Sequence, residues 1–149
     1  MTVAVVVPAL DEESTIAGVI ASVHHLGSVI VVDDGSTDRT AEVARSLGAV
    51  VVRHETNRGY DCALASGFRA AVSLGVDAAV AVDADGEQVL DALAAALRRM
   101  ERGEVMLALG VRTTGARVSE RLFSAYTRRR FGLRDALCGV KAYRREVLV

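Results

Sequence analysis

The sequence has no tryptophan, one proline and two cysteines, and each shortage closes a class of explanation. Cys62 and Cys138 stand far apart, outside any Cys-x-x-Cys or Cys/His cluster, so neither a disulfide framework nor a structural zinc site is on offer. Two buried thiols in a reducing compartment are expected instead. His24, His25 and His54 sit at no metal spacing and carry no expected role. No apolar run approaches the roughly 20 residues of a membrane span. Met1 leads straight into the strand-like Thr2-Val3-Ala4-Val5-Val6-Val7, without the charged region that opens a leader peptide. A cytoplasmic chain is expected, and a peripheral position at the inner membrane surface is compatible with it. The formal charge of −1, with no basic tail, speaks against nucleic acid as a partner. Lys141 is the only lysine, but heavy Ala, Val and Arg usage is what a GC-rich coding bias produces by itself.

What is present is a regular alternation. The 149 residues suit a single domain, large enough to bury roughly 68–70% of its unfolded surface. Continuous apolar runs at 3–7, 28–32, 49–53, 78–82 and 105–109 predict buried strands of a parallel sheet covered on both faces. Amphipathic stretches between them predict helices: from Glu13 or Ser14 to about His24, from a Ser36 or Thr37 cap toward Leu47, then 62–74, 89–102 and 118–130, most of them stopped by a glycine. This is an α/β, Rossmann-like pattern, a mostly parallel sheet with helices on both faces. The proline, Pro8, is expected to end the first strand.

The polar residues of chemical interest cluster after the predicted strands, at the edge where open α/β sheets bind ligands. They are Pro8-Ala9-Leu10-Asp11-Glu12-Glu13, Asp33-Asp34-Gly35-Ser36, Asn57-Arg58-Gly59-Tyr60 and Asp83-Ala84-Asp85. Neither G-x-G-x-x-G nor G-x-x-x-x-G-K-[ST] occurs, which excludes a dinucleotide Rossmann site and a P-loop. Two carboxylates about 5–6 Å apart, as in Asp-x-Asp, repel by about 3 kcal/mol at an effective dielectric near 20, so the pair wants a hard cation, Mg²⁺ or Mn²⁺. A solvated acidic turn is the plain alternative. Glu12 and Asp34 are suited to accept from ribose hydroxyls and ring N–H groups. Two adjacent carboxylates ending a buried strand, Asp33 and Asp34, imply that at least one faces a ligand.

Taken with Cys138-Gly139-Val140-Lys141-Ala142-Tyr143-Arg144-Arg145-Glu146, these segments resemble the family 2 glycosyltransferases of the GT-A fold, in particular the dolichyl- and polyprenyl-phosphate sugar synthase branch, over essentially the whole chain. The resemblance implies a metal-dependent, inverting enzyme that moves one sugar from a nucleoside diphosphate sugar, UDP- or GDP-linked, to an acceptor such as a polyprenyl phosphate at the membrane surface. By the same resemblance Pro8, Leu10, Glu12 and Asp34 contact base and ribose, with Ala9, Gly59 and Ala84 in the same loops, and Asp83 and Asp85 hold the metal. Asp85 also counts with Asp135 among the catalytic residues.

The departures from that pattern are specific. Glu87 replaces a glutamine and no proline follows, so Glu87 is expected as a third metal ligand. Asp135 lies in a turn that lacks the branch's proline, and is either a base toward a hydroxyl acceptor or a positioning residue. Arg112, Arg117 and Lys141 fall where the branch gathers cations for phosphates, although surface arginine is as common an explanation. Arg128-Arg129-Arg130 reads as a solvated or membrane-facing helix end. With no Trp, the Gln-x-x-Arg-Trp motif of processive polysaccharide synthases cannot be present. Relatives continue past the position of Val149, so a C-terminal truncation or an unusually short enzyme is expected. Rival readings are a sugar nucleotidyltransferase, which wants a Gly-rich, Arg-containing first loop, a phosphate-receiving signalling domain, whose acidic pair follows strand one, and an idle sugar-nucleotide-binding module.

Overall fold

A computed structural model describes residues 1–83, 90–109, 127–130 and 141–148. Its elements are β1 (Val3–Ala9), α1 (Ile16–Val23) with a 3-10 turn (His24–Leu26), β2 (Ser28–Asp33), α2 (Thr40–Ser46), β3 (Val50–Arg53), α3 (Tyr60–Ser73), β4 (Ala78–Ala81), α4 (Leu90–Glu101), β5 (Leu107–Leu109), β6 (Lys141–Arg144) and a last helical turn, Arg145–Leu148. The strands form one six-stranded sheet in the order β3-β2-β1-β4-β6-β5. β3, β2, β1 and β4 run parallel, and β6 is antiparallel to both β4 and β5. The expected α/β architecture is therefore present, with one antiparallel strand that the apolar pattern did not announce.

Strand side chains alternate between faces, and β1 shows what that produces in a two-sided sheet. Val3, Val5, Val7 and Ala9 pack on one face against α1, α2 and α4 through Ile16, Val19, Ile20, Ala44, Leu93 and Leu97. Ala4 and Val6 pack on the other against α3 through Ala63, Leu64 and Ala71. No position of β1 faces water, which is why its sequence is a continuous apolar run. α1 buries Ile16, Val19, Ile20 and Val23, the stripe that a 3.6-residue repeat predicts.

On the α3 face the helix comes unusually close. A Cβ added at Gly67 would stand 2.2 Å from Val6 Cγ1 and 3.0 Å from Val32 Cγ2, so the glycine in mid-helix is a packing requirement.

Several expectations need correction. β1 does not stop at Pro8; it runs to Ala9, with Pro8 in register with Val32 of β2. Val6 accepts from Val82 N at 3.0 Å, so Val6, and by the pleat Pro8, turn their backbone polar groups toward β4, whose pairing with β1 ends at Val6. The missing N–H thus falls where no partner is needed. β3 and β5 are only half-buried, because both lie at sheet edges. Cys62 is exposed on α3 rather than buried, and Cys138 lies outside the described residues. Arg128, Arg129 and Arg130 are exposed on a helical stretch. Among the described residues no helix is long and apolar enough to cross a membrane.

Candidate functional site

The loops after β1 and β2 are knitted together before they present anything to a ligand. Asp11 N donates to Ser36 Oγ (2.9 Å), Glu12 N to Thr40 Oγ1 (2.8 Å) and Glu13 N to Asp38 Oδ2 (3.0 Å). In return Thr37 N donates to Asp11 Oδ1 (2.7 Å) and Arg39 N to Glu13 Oε2 (3.1 Å). Asp11 takes a left-handed backbone, φ 55°, to make this exchange. Ser36 and Thr37 are consequently not the caps expected for α2; Arg39 holds the N-cap position without a side-chain capping bond, and Asp38, just before it, accepts from Thr40 N at 2.9 Å. Gly35, at φ 84°, passes so close to the next loop that a Cβ would lie 2.6 Å from the Thr56 carbonyl carbon.

The two carboxylates ending β2 divide the work. Asp33 is fully buried and faces inward: its Oδ1 accepts from Ser36 N (2.9 Å), and Arg53 Nε stands 3.2 Å from its Oδ2, near enough for charge compensation but not aligned as a hydrogen bond. It is structural. Asp34 faces a cavity of about 340 Å³ lined by Pro8, Ala9, Leu10, Glu12, Asp34, Asn57, Gly59, Tyr60, Ala63 and Asp83, a volume within the range of small-molecule sites. Burial would raise the pKa of Asp34, but hydrogen bonds from His54 and from the amides of Arg58 and Gly59 outweigh it and hold the carboxyl below its usual range. Opposite, at the end of β4, Asp83 Oδ1 accepts from the Tyr60 hydroxyl at 2.7 Å. Burial first, and then the bond to Asp83, push the Tyr60 pKa up, so this phenol stays a donor.

Seven of the expected substrate residues therefore meet at one cavity: Pro8, Ala9, Leu10, Glu12, Asp34, Gly59 and Asp83. Lys141 starts β6 opposite Ala81, on the same sheet edge but outside the cavity wall. Ala84, Asp85, Glu87, Arg112, Arg117 and Asp135 lie outside the described residues. Among the described residues no three acidic, His or Cys side chains form a metal cage. A half-exposed carboxylate at the mouth of a cavity is nonetheless the hard-oxygen donor that Mg²⁺ or Mn²⁺ takes together with phosphate oxygens, and Asp83 fits that description. A second cleft, about 540 Å³ and lined by Met1, Asp77, Glu101, Arg144, Arg145 and Glu146, lies at the amino-terminal end of the strands, away from these loops.

Sequence reasoning missed Asn57, Tyr60, Ala63 and His54. Asn57 and Tyr60 stood in the quoted segment Asn57-Arg58-Gly59-Tyr60, and an aromatic directly after a loop glycine was a usable signal for Tyr60. His54 gave none, since its partners, Asp34 at 2.6 Å and Ser66 at 2.9 Å, are 20 and 12 residues away.

Comparison with known proteins agrees with this geometry. The polyprenol monophosphomannose synthase of Mycolicibacterium smegmatis is 33% identical, with 97% of this chain and 62% of that protein covered. An uncharacterised protein of Methanocaldococcus jannaschii is 44% identical over 69 residues, 45% of this chain and 28% of its own. The crystal structure of glucosyl-3-phosphoglycerate synthase from Mycobacterium tuberculosis in complex with Mn²⁺ and UDP-glucose superposes with a TM-score of 0.79 at 32% identity, covering 98% of this chain and 57% of that one. The chain thus spans little more than half the length of that enzyme. Residues 4–148 match the family model of glycosyl transferase family 2, and the chain belongs to that family.

Proposed function

We propose that this chain is a metal-dependent, inverting glycosyltransferase that binds a nucleoside diphosphate sugar and hands its sugar to a phosphate-bearing acceptor. The observation that carries the reading is one cavity lined by both Asp34, from the end of β2, and Asp83, from the end of β4. Asp34 is an ionised acceptor suited to a ring N–H of the base, and Glu12 is suited to ribose hydroxyls. Asp83, joined by Asp85 and Glu87, would hold a divalent cation. When bound, that cation neutralises charge developing on the departing diphosphate. Solved complexes of the similar glucosyl-3-phosphoglycerate synthase with Mn²⁺ and UDP-glucose support this assignment.

The reaction is a single displacement. An acceptor oxygen attacks the anomeric carbon as the bond to the diphosphate oxygen breaks, the nucleoside diphosphate leaves, and configuration inverts. Holding the sugar in line is the larger part of what the protein must do. A polyprenyl phosphate is already ionised and needs no base, whereas a hydroxyl acceptor would pass its proton to Asp135. Arg112, Arg117 and Lys141 are assigned to the acceptor phosphate and the leaving diphosphate.

Polyprenyl phosphate is the acceptor we favour, on the similarity to polyprenol monophosphomannose synthase. A phosphoglycerate-like acid is the second reading, on the structural similarity to a synthase complexed with phosphoglyceric acid. A melting panel of UDP-, GDP-, CDP- and dTDP-sugars with and without Mn²⁺ tests the donor site, since a ligand at 100 times its Kd adds about 2.7 kcal/mol. Transfer of labelled sugar to polyprenyl phosphate and to 3-phosphoglycerate then separates the acceptors. Stability unmoved by every nucleotide would refute the reading, and binding without transfer to any acceptor would reduce the chain to a binding module.

A further inference from the structure

Tyr60 is the first residue of α3, and both it and Asp83 line the cavity. Its phenol O–H donates to Asp83 Oδ1 at 2.7 Å, the ordinary length of a good O–H···O bond. The two residues are 23 apart in sequence, so the bond ties the start of α3 to the end of β4. Among the described residues no other group bonds to the Asp83 carboxylate. The last torsion of an aspartate side chain is broad, so without a partner this carboxylate would turn about its own axis. Tyr60 is what fixes it.

The backbone behind Tyr60 is itself held. Gly59 enters the helix at φ 89° and ψ 158°, and a Cβ there would meet nothing within 4 Å, so the glycine serves the positive φ and not a packing need. Its amide donates to Asp34 Oδ2 at 2.8 Å and is 2.9 Å from Asn57 Oδ1, and its carbonyl accepts from Ala63 N at 3.0 Å. Ala63 is buried against the sheet. Turn, first helical hydrogen bond and buried Ala63 together set the point from which the Tyr60 side chain starts. The residue is nevertheless 44% exposed, so burial in the core does not account for where its ring lies. The bond to Asp83 does.

We propose that Tyr60 is a positioning residue for the metal: by holding the Asp83 carboxylate it sets the orientation in which that side chain meets the divalent cation of the donor complex. Carboxylates that ligate metals are themselves oriented by hydrogen bonds, and loss of such a partner lowers metal affinity about 10–100-fold. This inference rests on the reading of Asp83 as a metal ligand and goes beyond it, since it names the group through which the fold controls that ligand. A phenol that served the nucleotide directly, by bonding a diphosphate oxygen or by packing on the base, would act whether or not metal is present. A phenol that acts through Asp83 is felt only through the metal.

Two titrations of the full chain separate these roles, on wild type, Tyr60→Phe and Tyr60→Leu. Mn²⁺ affinity is followed by paramagnetic resonance at saturating UDP, and UDP and UMP affinities are measured by calorimetry in EDTA. Tyr60→Phe keeps the ring and removes the hydroxyl; it is expected to lose about 10–100-fold in Mn²⁺ affinity, with UDP and UMP binding in EDTA and the melting temperature unchanged. Tyr60→Leu should show the same loss of Mn²⁺ affinity, because the hydroxyl and not the ring carries the effect. Unchanged Mn²⁺ affinity in folded Tyr60→Phe or Tyr60→Leu overturns the inference. So does a loss of metal-free UDP affinity as large as the loss for Mn²⁺, which would assign the phenol to the nucleotide. A wild-type chain that binds UDP but no Mn²⁺ overturns it by removing the metal role of Asp83, with the nucleotide site left standing. A wild-type chain that does not bind UDP overturns the donor-site reading itself.

Discussion

Replacing Gly67 by alanine adds one methyl group at the tightest point between α3 and the sheet. That carbon would stand 2.2 Å from Val6 Cγ1, against an ordinary carbon contact of about 3.5–4.0 Å, so something must move by more than about 1 Å. Val6 and Val32 are 0% exposed, and as β-branched residues they have few rotamers to retreat into. Overpacking of this kind costs about 1–3 kcal/mol, and the upper part of that range applies because both neighbours are locked. Alanine returns about 1 kcal/mol in helix propensity. The net expectation is a loss of about 1–2 kcal/mol, or about 2–8 °C in melting temperature for a chain of this size. Because α3 begins with Tyr60 and Ala63 of the cavity wall, UDP affinity should weaken together with stability. Thermal melts and UDP titrations of Gly67→Ala check both. A variant as stable as the wild type, or more stable, would show that α3 does not sit this close to Val6 in solution.

Three further outcomes are expected. Tyr60→Phe removes the donor that fixes Asp83, and an uncharged partner lost from a carboxylate is worth about 1.5–3 kcal/mol at most; Mn²⁺ affinity at fixed UDP should fall while metal-free UDP binding holds, and equal loss of both would show that Tyr60 serves the base instead. Asp34 has a folded pKa below its ordinary 3.8, so its contribution to stability is present above that value and is lost as pH falls through the folded pKa. Urea midpoints between about pH 5 and pH 2 should therefore decline less steeply in Asp34→Asn than in wild type, and parallel profiles would contradict the assignment. In EDTA against Mn²⁺, nucleotide affinity should differ in the wild type and not in Asp85→Ala, while Glu87→Gln should weaken Mn²⁺ by paramagnetic resonance; an unchanged Glu87→Gln titration makes that residue ordinary surface.

The parts of the fold that could be read from sequence are those where burial is complete on both sides. β1, β2 and the run at β4 have no polar face, so their apolar runs are unbroken and unambiguous. β6 was illegible for the opposite reason: of Lys141-Ala142-Tyr143-Arg144 only Ala142 is buried, and four residues with one inward side chain carry no period. At the site, Glu12, Asp34 and Asp83 were legible because acidic residues after apolar strands are electrostatically conspicuous. The pairing of Asp33 with Arg53 and of Asp34 with His54 was not, because both partners are brought in by β3 and the residue after it, and adjacency in a sheet is invisible along the chain. Cys62 was misread on composition, since a cysteine is usually buried and the face of α3 it occupies cannot be read from one residue.

The exchange of hydrogen bonds between the first two loops also bears on how such a site can be changed. Three consecutive amides, of Asp11, Glu12 and Glu13, are satisfied by Ser36, Thr40 and Asp38, and Asp11 and Glu13 answer with their own carboxylates. Each loop is folded on the side chains of the other, so the two form one structural module. Grafting residues 10–15 from a relative to alter nucleotide choice would strand those amides unless residues 36–40 came with them, and a recombination point placed between the two loops would divide the module even though it cuts neither one.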